Sequence, residues 1–284
     1  MRLVFLLWAA AGLALAQGRA VVLRPVLNMF SKPTSMTDVV TQARYGMTVT
    51  IVETRANWTR IKTPDDYPGW AAAIALHRLK KDEPGYAEKG RVATVESVFA
   101  HIYREDSVTK HAPVVTVPFE TRLEVLDDHS KERWLQVKLA DGRDAWIQKG
   151  DVTLEPHDRT ISDLAELAKR FLGLPYTWGG TTSFGYDCSG FTQMLTRQSG
   201  TSIPRDADQQ AMWSGMQPVE KADLQAGDLL YFGKSLEKAS HTGFYLGNGE
   251  FIHASTHEHP VVQISKLDEE HWTSLFVGAR RWKK

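Results

Sequence analysis

The chain has 284 residues, 42% hydrophobic and 24% charged, and its 34 basic and 34 acidic side chains cancel to a formal net charge of zero. That length accommodates two or three domains with buried cores, and the composition is that of a folded protein rather than a disordered one. A neutral balance argues against a nucleic-acid partner, because domains that read phosphates are usually basic.

The chain opens on a leader pattern. Arg2 is a short charged n-region, residues 3–15 are apolar, and Ala14-Leu15-Ala16 is an A-x-A cleavage signal. Residues 1–16 are therefore expected to be a signal peptide, with the mature chain starting at Gln17. The run is shorter than the roughly 20 residues a membrane span needs, and no later stretch is a candidate. The expectation is a secreted or periplasmic protein with no stable membrane insertion after cleavage. Export also bears on Cys188, the single cysteine. Exported proteins usually use cysteines in pairs, and one cysteine cannot form an internal disulfide.

Residues 20–80 read as short strands and turns. Residues 47–53 alternate, Trp58–Lys62 follows, then a turn-rich loop over 63–69 and a strand starting at Trp70. Residues 90–155 repeat that plan: 122–126 alternate, Trp134–Lys138 follows, then an Asp141-Gly142 turn and Ala145-Trp146-Ile147. Trp58 and Trp70 have the spacing of Trp134 and Trp146. Ile61 falls where Val137 falls, and Met47 and Val49 where Leu123 and Val125 fall. The expectation is two copies of an all-β unit, 17–80 and 86–155, each a small barrel of five or six strands. The boundary lies at the polar run 80–85, and the tryptophans read as core residues.

Residues 156–284 change character. Residues 161–171 have helical spacing, with Ser162 near the start and Gly173 and Pro175 beyond the end. A second helix begins beside Cys188, and a third is expected over Ala207–Met212. Strands are expected at 228–232, 242–246, 250–254, 261–264 and 276–281. Helices first and strands second predict an α+β domain with an antiparallel sheet.

Cys188 lies in Tyr186-Asp187-Cys188-Ser189-Gly190-Phe191, between a Gly-rich loop and a helix. A helix N-terminus carries partial positive charge, which favours thiolate over thiol. A cysteine nucleophile also needs a base, and the base needs a partner to orient it. His241 and His253, on two strands of one expected hairpin, are the candidates. Side chains alternate along a strand, so a plain two-residue Asn248-Gly249 turn would put them on opposite faces. A three-residue loop, Gly247-Asn248-Gly249, or an equivalent bulge puts them on one face, with Gly243 opposite His253. Asp187 has an ordinary reading as the helix N-cap. His253, His257 and His259 have a rival reading as metal ligands, but Pro260 and the apolar strand before His253 argue against the helix that spacing would need.

Together with Gly227-Asp228-Leu229-Leu230-Tyr231-Phe232, His241-Thr242-Gly243-Phe244-Tyr245-Leu246 and Phe251-Ile252-His253-Ala254, the Cys188 segment resembles the NlpC/P60 family of cysteine peptidases over residues 157–284. The two upstream units resemble bacterial SH3 domains. The resemblance implies two small all-β SH3-like barrels followed by an α+β papain-like catalytic domain. It makes Cys188 the nucleophile, His241 the general base and His253 the residue orienting it. Backbone N–H groups, including that of Cys188, would hold the oxyanion. The architecture is similar to γ-D-glutamyl-L-diamino acid endopeptidases, which implies hydrolysis of peptidoglycan stem peptides bearing a free N-terminal L-Ala. It assigns substrate contacts to Tyr67, Asp187, Ser189, Tyr176, Trp178, Arg205 and Asp38. Ala207 departs from that group, which has a serine there. No metal or other cofactor is implied. The alternative is a cell-wall-binding protein with another amidase or acyltransferase activity, or none.

Overall fold

The computed structural model describes residues 18–283, so the expected leader over residues 1–16 lies outside the described residues. The first unit is one seven-stranded sheet in the order Val39–Arg44, Val26–Phe30, Pro68–Ala72, Trp58–Lys62, Thr48–Arg55, Arg19–Val22 and Leu76–Arg78. The second runs Val115–Pro118, Phe99–Tyr103, Asp144–Gln148, Trp134–Lys138, Arg122–Asp127, Val92–Val95 and Val152–Thr153. The two orders are the same strand for strand, and the polar run 80–85 lies between them. Seven strands replace the expected five or six, because a short last strand in each unit follows a 3-10 turn and closes back on the first.

The repeat extends to its irregularities. A bulge interrupts the pairing between Ile51 and Glu53 in one unit and between Val125 and Asp127 in the other. Ile51 pairs with Ile61 as Val125 pairs with Val137, so Val125 is the counterpart of Ile51, two residues from the expected match with Val49. Val49 corresponds to Leu123, each facing an alanine of the first strand. The slip arises because the connection before Trp134 is longer than the tight turn before Trp58. A shift of two keeps each side chain on its face.

Alternation also places the tryptophans. In Trp134–Lys138 the fully buried residues are Leu135 and Val137, so Trp134 faces out. Trp58 and Trp146 do the same, and only Trp70 of the four is buried. Trp58 and Trp134 pack edge-on against Phe30 at 5.6 Å and Tyr103 at 5.7 Å. Trp70 pairs with the outward Arg60 and is covered by the Arg55 guanidinium at 5.1 Å rather than by the core cluster, so the core reading fails and all four tryptophans sit on the outer faces of their sheets.

The third unit is an antiparallel sheet in the order Met216–Val219, Phe276–Trp282, Leu229–Gly233, Ala239–Gly247, Glu250–Ser255 and Val261–Lys266. Its helices are α1 (Ile161–Lys169), α2 (Cys188–Arg197), α3 (Ala207–Met212) and α4 (Glu270–Leu275). The cap of α1 is Thr160 rather than Ser162: its hydroxyl accepts from the Asp163 amide and the Asp163 carboxylate accepts from the Thr160 amide. Every residue of α2 from Cys188 to Thr196 is buried. Such a helix tolerates polar residues only if they are paired. Thr192 donates to Gln210 at 3.0 Å, and Gln193 donates to Asp65 of the first unit at 3.0 Å.

One dipeptide of the second unit joins all three. Phe119 enters the core beneath α2, 5.4 Å edge-on to Phe171. Its neighbour Glu120, in the left-handed region at φ 66°, accepts from Arg44 of the first unit at 2.9 Å. It also accepts from Arg197 at 2.9 and 2.7 Å and from Gln198 at 2.8 Å, at the C-terminal end of α2. Burial works to raise the Glu120 pKa, but the two guanidiniums outweigh it and hold the carboxyl at about 2.

Removing Glu120 leaves two partly buried guanidiniums short of a counter-charge, so Glu120→Ala is expected to destabilise the chain by about 3 kcal/mol in urea unfolding, the low end for a broken buried pair. The folded carboxyl binds its proton less readily than the unfolded one, whose ordinary value is 4.5. Its stabilisation is therefore present above pH 4.5 and lost as pH falls toward 2. Glu120→Gln is expected to flatten that acid limb, and an unchanged limb would locate the sensitivity elsewhere.

Candidate active site

The Cys188 segment folds as a cap followed by a helix. Asp187 is the N-cap of α2 in extended conformation, and its Oδ1 accepts from the Gly190 amide at 2.7 Å. Gly190 is required by close approach: a Cβ there would lie 2.1 Å from the Gly180 carbonyl oxygen. That contact seats the Gly-rich loop on the first turn of α2, with Cys188 as the first helical residue.

The two histidines meet by way of a bulge. Asn248 and Gly249, at φ 53° and 81°, form a two-residue turn that pairs Gly247 with Glu250. Of the two expected alternatives, the three-residue loop or an equivalent bulge, the structure has the bulge: the register shifts between Tyr245 and Gly247, leaving Leu246 unpaired. Tyr245 then pairs with Phe251, which puts His241 and His253 on one face. His241 Nε2 lies 2.7 Å from His253 Nδ1. Gly243 admits this packing, since a Cβ there would lie 2.6 Å from the Phe251 ring and 3.2 Å from His253 Cβ.

Two further residues complete the group, neither foreseen from the sequence. Trp272 of α4, itself buried, stacks on His241 at 5.1 Å and 26° and stands edge-on to His253 at 4.8 Å. Ser265 Oγ lies 3.1 Å from His253 Nε2. Helix α4 is six residues long with no side-chain cap bond, so it left no start signal. The metal reading of His253, His257 and His259 fails on geometry: His253 turns to His241 and Ser265, while His257 stacks on His271 at 3.7 Å. Among the described residues no group of three or more His, Cys, Asp or Glu side chains is placed to hold a metal ion.

Electrostatics reverse one expectation. Burial pushes the Cys188 thiol up to about 12 and the Asp187 charge adds to the rise. Backbone hydrogen bonds from Thr242 and Ser189 and the Arg205 charge pull the other way without prevailing. The helix N-terminus alone therefore does not make a resting thiolate. Burial of the His241 ring, with smaller contributions from His271 and His257, lowers its pKa to about 3. At neutral pH the site therefore holds a thiol and a neutral imidazole. The Thr242 bond to sulfur sets the His241 strand against the start of α2.

Asp187 is less free than a ligand for an ammonium group should be. Arg205, itself buried, pairs with both of its carboxylate oxygens, reaches Ser189 Oγ at 2.8 Å and reaches Thr41 Oγ1 of the first unit at 3.1 Å. Burial works against the Arg205 charge, and Asp187 more than offsets it, raising its pKa above the ordinary value. The next residue, Asp206, occupies the N-cap position of α3, but its side chain makes no cap bond. Its Oδ2 accepts instead from the Tyr67 hydroxyl at 2.9 Å, across 139 residues. Burial raises the pKa of Asp206, and burial followed by the nearby Asp206 charge raises that of Tyr67.

A cleft of about 400 Å³ brings the sequence-predicted residues together. Asp38 and Tyr67 of the first unit form one wall, Tyr176 and Trp178 another, and Asp187, Cys188, Ser189 and Arg205 the floor, with Asp206 beside them. Trp178 is 68% exposed at the rim. His241 and His253 are not among the cleft's lining residues, and the neighbour that bonds the Cys188 sulfur is the Thr242 backbone, one residue from His241. Asp206 had a sequence signal, an acidic residue at a helix start. Nothing local distinguished it from an ordinary cap.

Protonating a buried imidazole opposes folding, and His241 binds fewer protons folded than unfolded between pH 6.5 and about 3. Stability is therefore expected to fall as pH drops through that window. His241→Gln is expected to reduce the slope in denaturant unfolding followed at several pH values, and an unaltered slope would count against the buried neutral ring.

Residues 173–281 match the NlpC/P60 family and residues 25–75 match the bacterial SH3 domain. A γ-D-glutamyl-L-lysine dipeptidyl-peptidase of Bacillus cereus is 32% identical over 264 residues, covering 88% of this chain and 77% of that protein. Its Bacillus subtilis counterpart is 30% identical over 254 residues, covering 86% and 81%. The crystal structure of an NlpC/P60 family protein from Bacillus cereus superposes with a TM-score of 0.80 at 27% identity, covering 93% of this chain and 99% of that one. With a β unit, a buried cysteine at a helix start and a paired-histidine hairpin in the same order along nearly the whole length, the chain belongs to the NlpC/P60 family.

Proposed function

We propose that the protein is a cysteine endopeptidase of the cell envelope that hydrolyses the γ-D-glutamyl-L-diamino acid bond of peptidoglycan stem peptides carrying a free N-terminal L-Ala. The observation that carries this reading is the composite cleft. Cys188 lies at its floor, and the SH3-like unit closes it with Tyr67 and Asp38. Similarity to two enzymes named for the γ-D-glutamyl-L-lysine bond supports the substrate class.

Cys188 Sγ attacks the γ-carbonyl carbon as its proton passes to His241. The negative charge moves to the carbonyl oxygen, where backbone N–H groups at the start of α2 offer donors. The intermediate collapses to a thioester as His241 returns the proton to the leaving amine, and water hydrolyses the thioester by the same route reversed. A neutral thiol beside a neutral imidazole suits this sequence, since charge develops only once the substrate has excluded water.

The closed wall supports the preference for a short substrate with a charged amine. Arg205 already occupies Asp187, so we assign the ammonium to Asp206, with Tyr67 and Asp38 around it. The half-buried Asp206 carboxylate lacks a cationic partner of its own among its hydrogen bonds, which come from Tyr67 and Gln209. Asp187 keeps a role in holding Arg205 and the helix start.

Cys188→Ala is expected to abolish release of the diamino acid from L-Ala-γ-D-Glu-diamino acid peptides in mass spectrometry. A variant that still cut would overturn the nucleophile assignment. Wall binding by the wild type without any cutting would favour the binding-protein alternative. The same peptides capped by a lactyl group should be cut poorly, whereas equal cutting would mean that the first unit does not gate the cleft. Asp206→Asn is expected to raise KM for the free-amine peptide by about 10- to 100-fold, the worth of a hydrogen bond to a charged group, with little effect on the capped one.

A further inference from the structure

We infer that Ser265 is a positioning residue that fixes the tautomers of the His253–His241 pair by accepting a hydrogen bond from His253 Nε2; this rests on the peptidase reading above. Ser265 lies on Val261–Lys266, opposite Phe251 and two positions from Gln263, the partner of His253. It therefore shares a face with His253. The His253 ring is fully buried, with Nδ1 2.7 Å from His241 Nε2 and Nε2 3.1 Å from Ser265 Oγ.

A neutral imidazole has one N–H and one bare nitrogen, so the chain of bonds runs in one of two directions. If Ser265 donates to His253 Nε2, then His253 donates from Nδ1 to His241 Nε2. Neutral His241 then carries its proton on Nδ1 and has no free nitrogen to take the thiol proton. If Ser265 accepts from His253 Nε2–H, then His253 Nδ1 is bare and accepts from His241 Nε2–H. His241 Nδ1 is left bare, and only this arrangement supplies a base.

The other aromatic groups packed on the His253 ring besides His241 are Phe251 at 4.6 Å and Trp272 at 4.8 Å, neither of which has an acceptor atom, and the side-chain amide of Gln263, across from His253, is bonded to the His257 and His259 carbonyls. His257 and His271, the remaining imidazoles nearby, stack on each other and against Trp272. Ser265 is thus the acceptor that makes the productive direction affordable in a buried site, and it is itself 6% exposed.

The test is nitrogen NMR of the full chain with labelled histidines, alongside steady-state kinetics. The wild type should show both His253 and His241 protonated at Nε2. Ser265→Ala should populate the opposite tautomer of His253 and lower kcat by about tenfold with KM little changed, short of the roughly 10⁴ that a wrong tautomer costs in a serine-protease triad. Ser265→Thr, which keeps the hydroxyl, should restore both readouts. His253 protonated at Nδ1 in the wild type would overturn the inference, as would Ser265→Ala with unaltered tautomers and kcat. A wild type that cuts no peptide would sink the peptidase reading, while the spectrum would still decide the tautomer.

Discussion

The arrangement depends on one buried carboxylate. Glu120 belongs to the second SH3-like unit, yet its partners are Arg44 of the first unit and Arg197 and Gln198 at the end of α2. A buried carboxylate and two partly buried guanidiniums are costly to desolvate, and they are tolerated because the donors converge on both oxygens. The left-handed backbone at Glu120 adds strain on the order of 1–3 kcal/mol. That strain is held because Phe119, one residue earlier, is locked in the core beneath α2.

This clamp has a consequence for the cleft. Cys188 and Arg197 are the two ends of one helix, roughly 14 Å apart at 1.5 Å per residue. The first unit is held at Arg197 through Glu120, along the side of α2 by Asp65 on Gln193, and near Cys188 by Thr41 on Arg205. Tyr67 and Asp38 are therefore carried by a unit that the helix itself positions. The second unit takes no part in the cleft lining, yet its Glu120 holds the wall.

A second theme is neutrality in the buried centre. Asp187 would disfavour a nearby thiolate, and Arg205 balances it within the same floor. The two imidazoles and the Ser265 hydroxyl then form an uncharged hydrogen-bonded array, and burial disfavours the charged forms of both rings and of the thiol. Such an array acts by direction of hydrogen bonding rather than by stored charge, so small polar groups such as Ser265 matter more than their size suggests.

Local pattern carried much of the fold. Alternation and tryptophan spacing made the two β units legible, and the single cysteine beside a Gly-rich loop identified the candidate nucleophile. These signals act over a few residues, where backbone geometry dictates which face a side chain takes. Family resemblance added the roles proposed for Tyr67 and Arg205. Tertiary structure alone decided the rest. It chose a bulge at Leu246 over a longer loop, gave Asp187 to Arg205 and left Asp206 facing Tyr67, and set Glu120 between three units. The bulge is settled within one hairpin, but the others depend on partners 18 to 139 residues away. No periodicity or propensity encodes which buried charge will find which counter-charge once the sheets and α2 have packed.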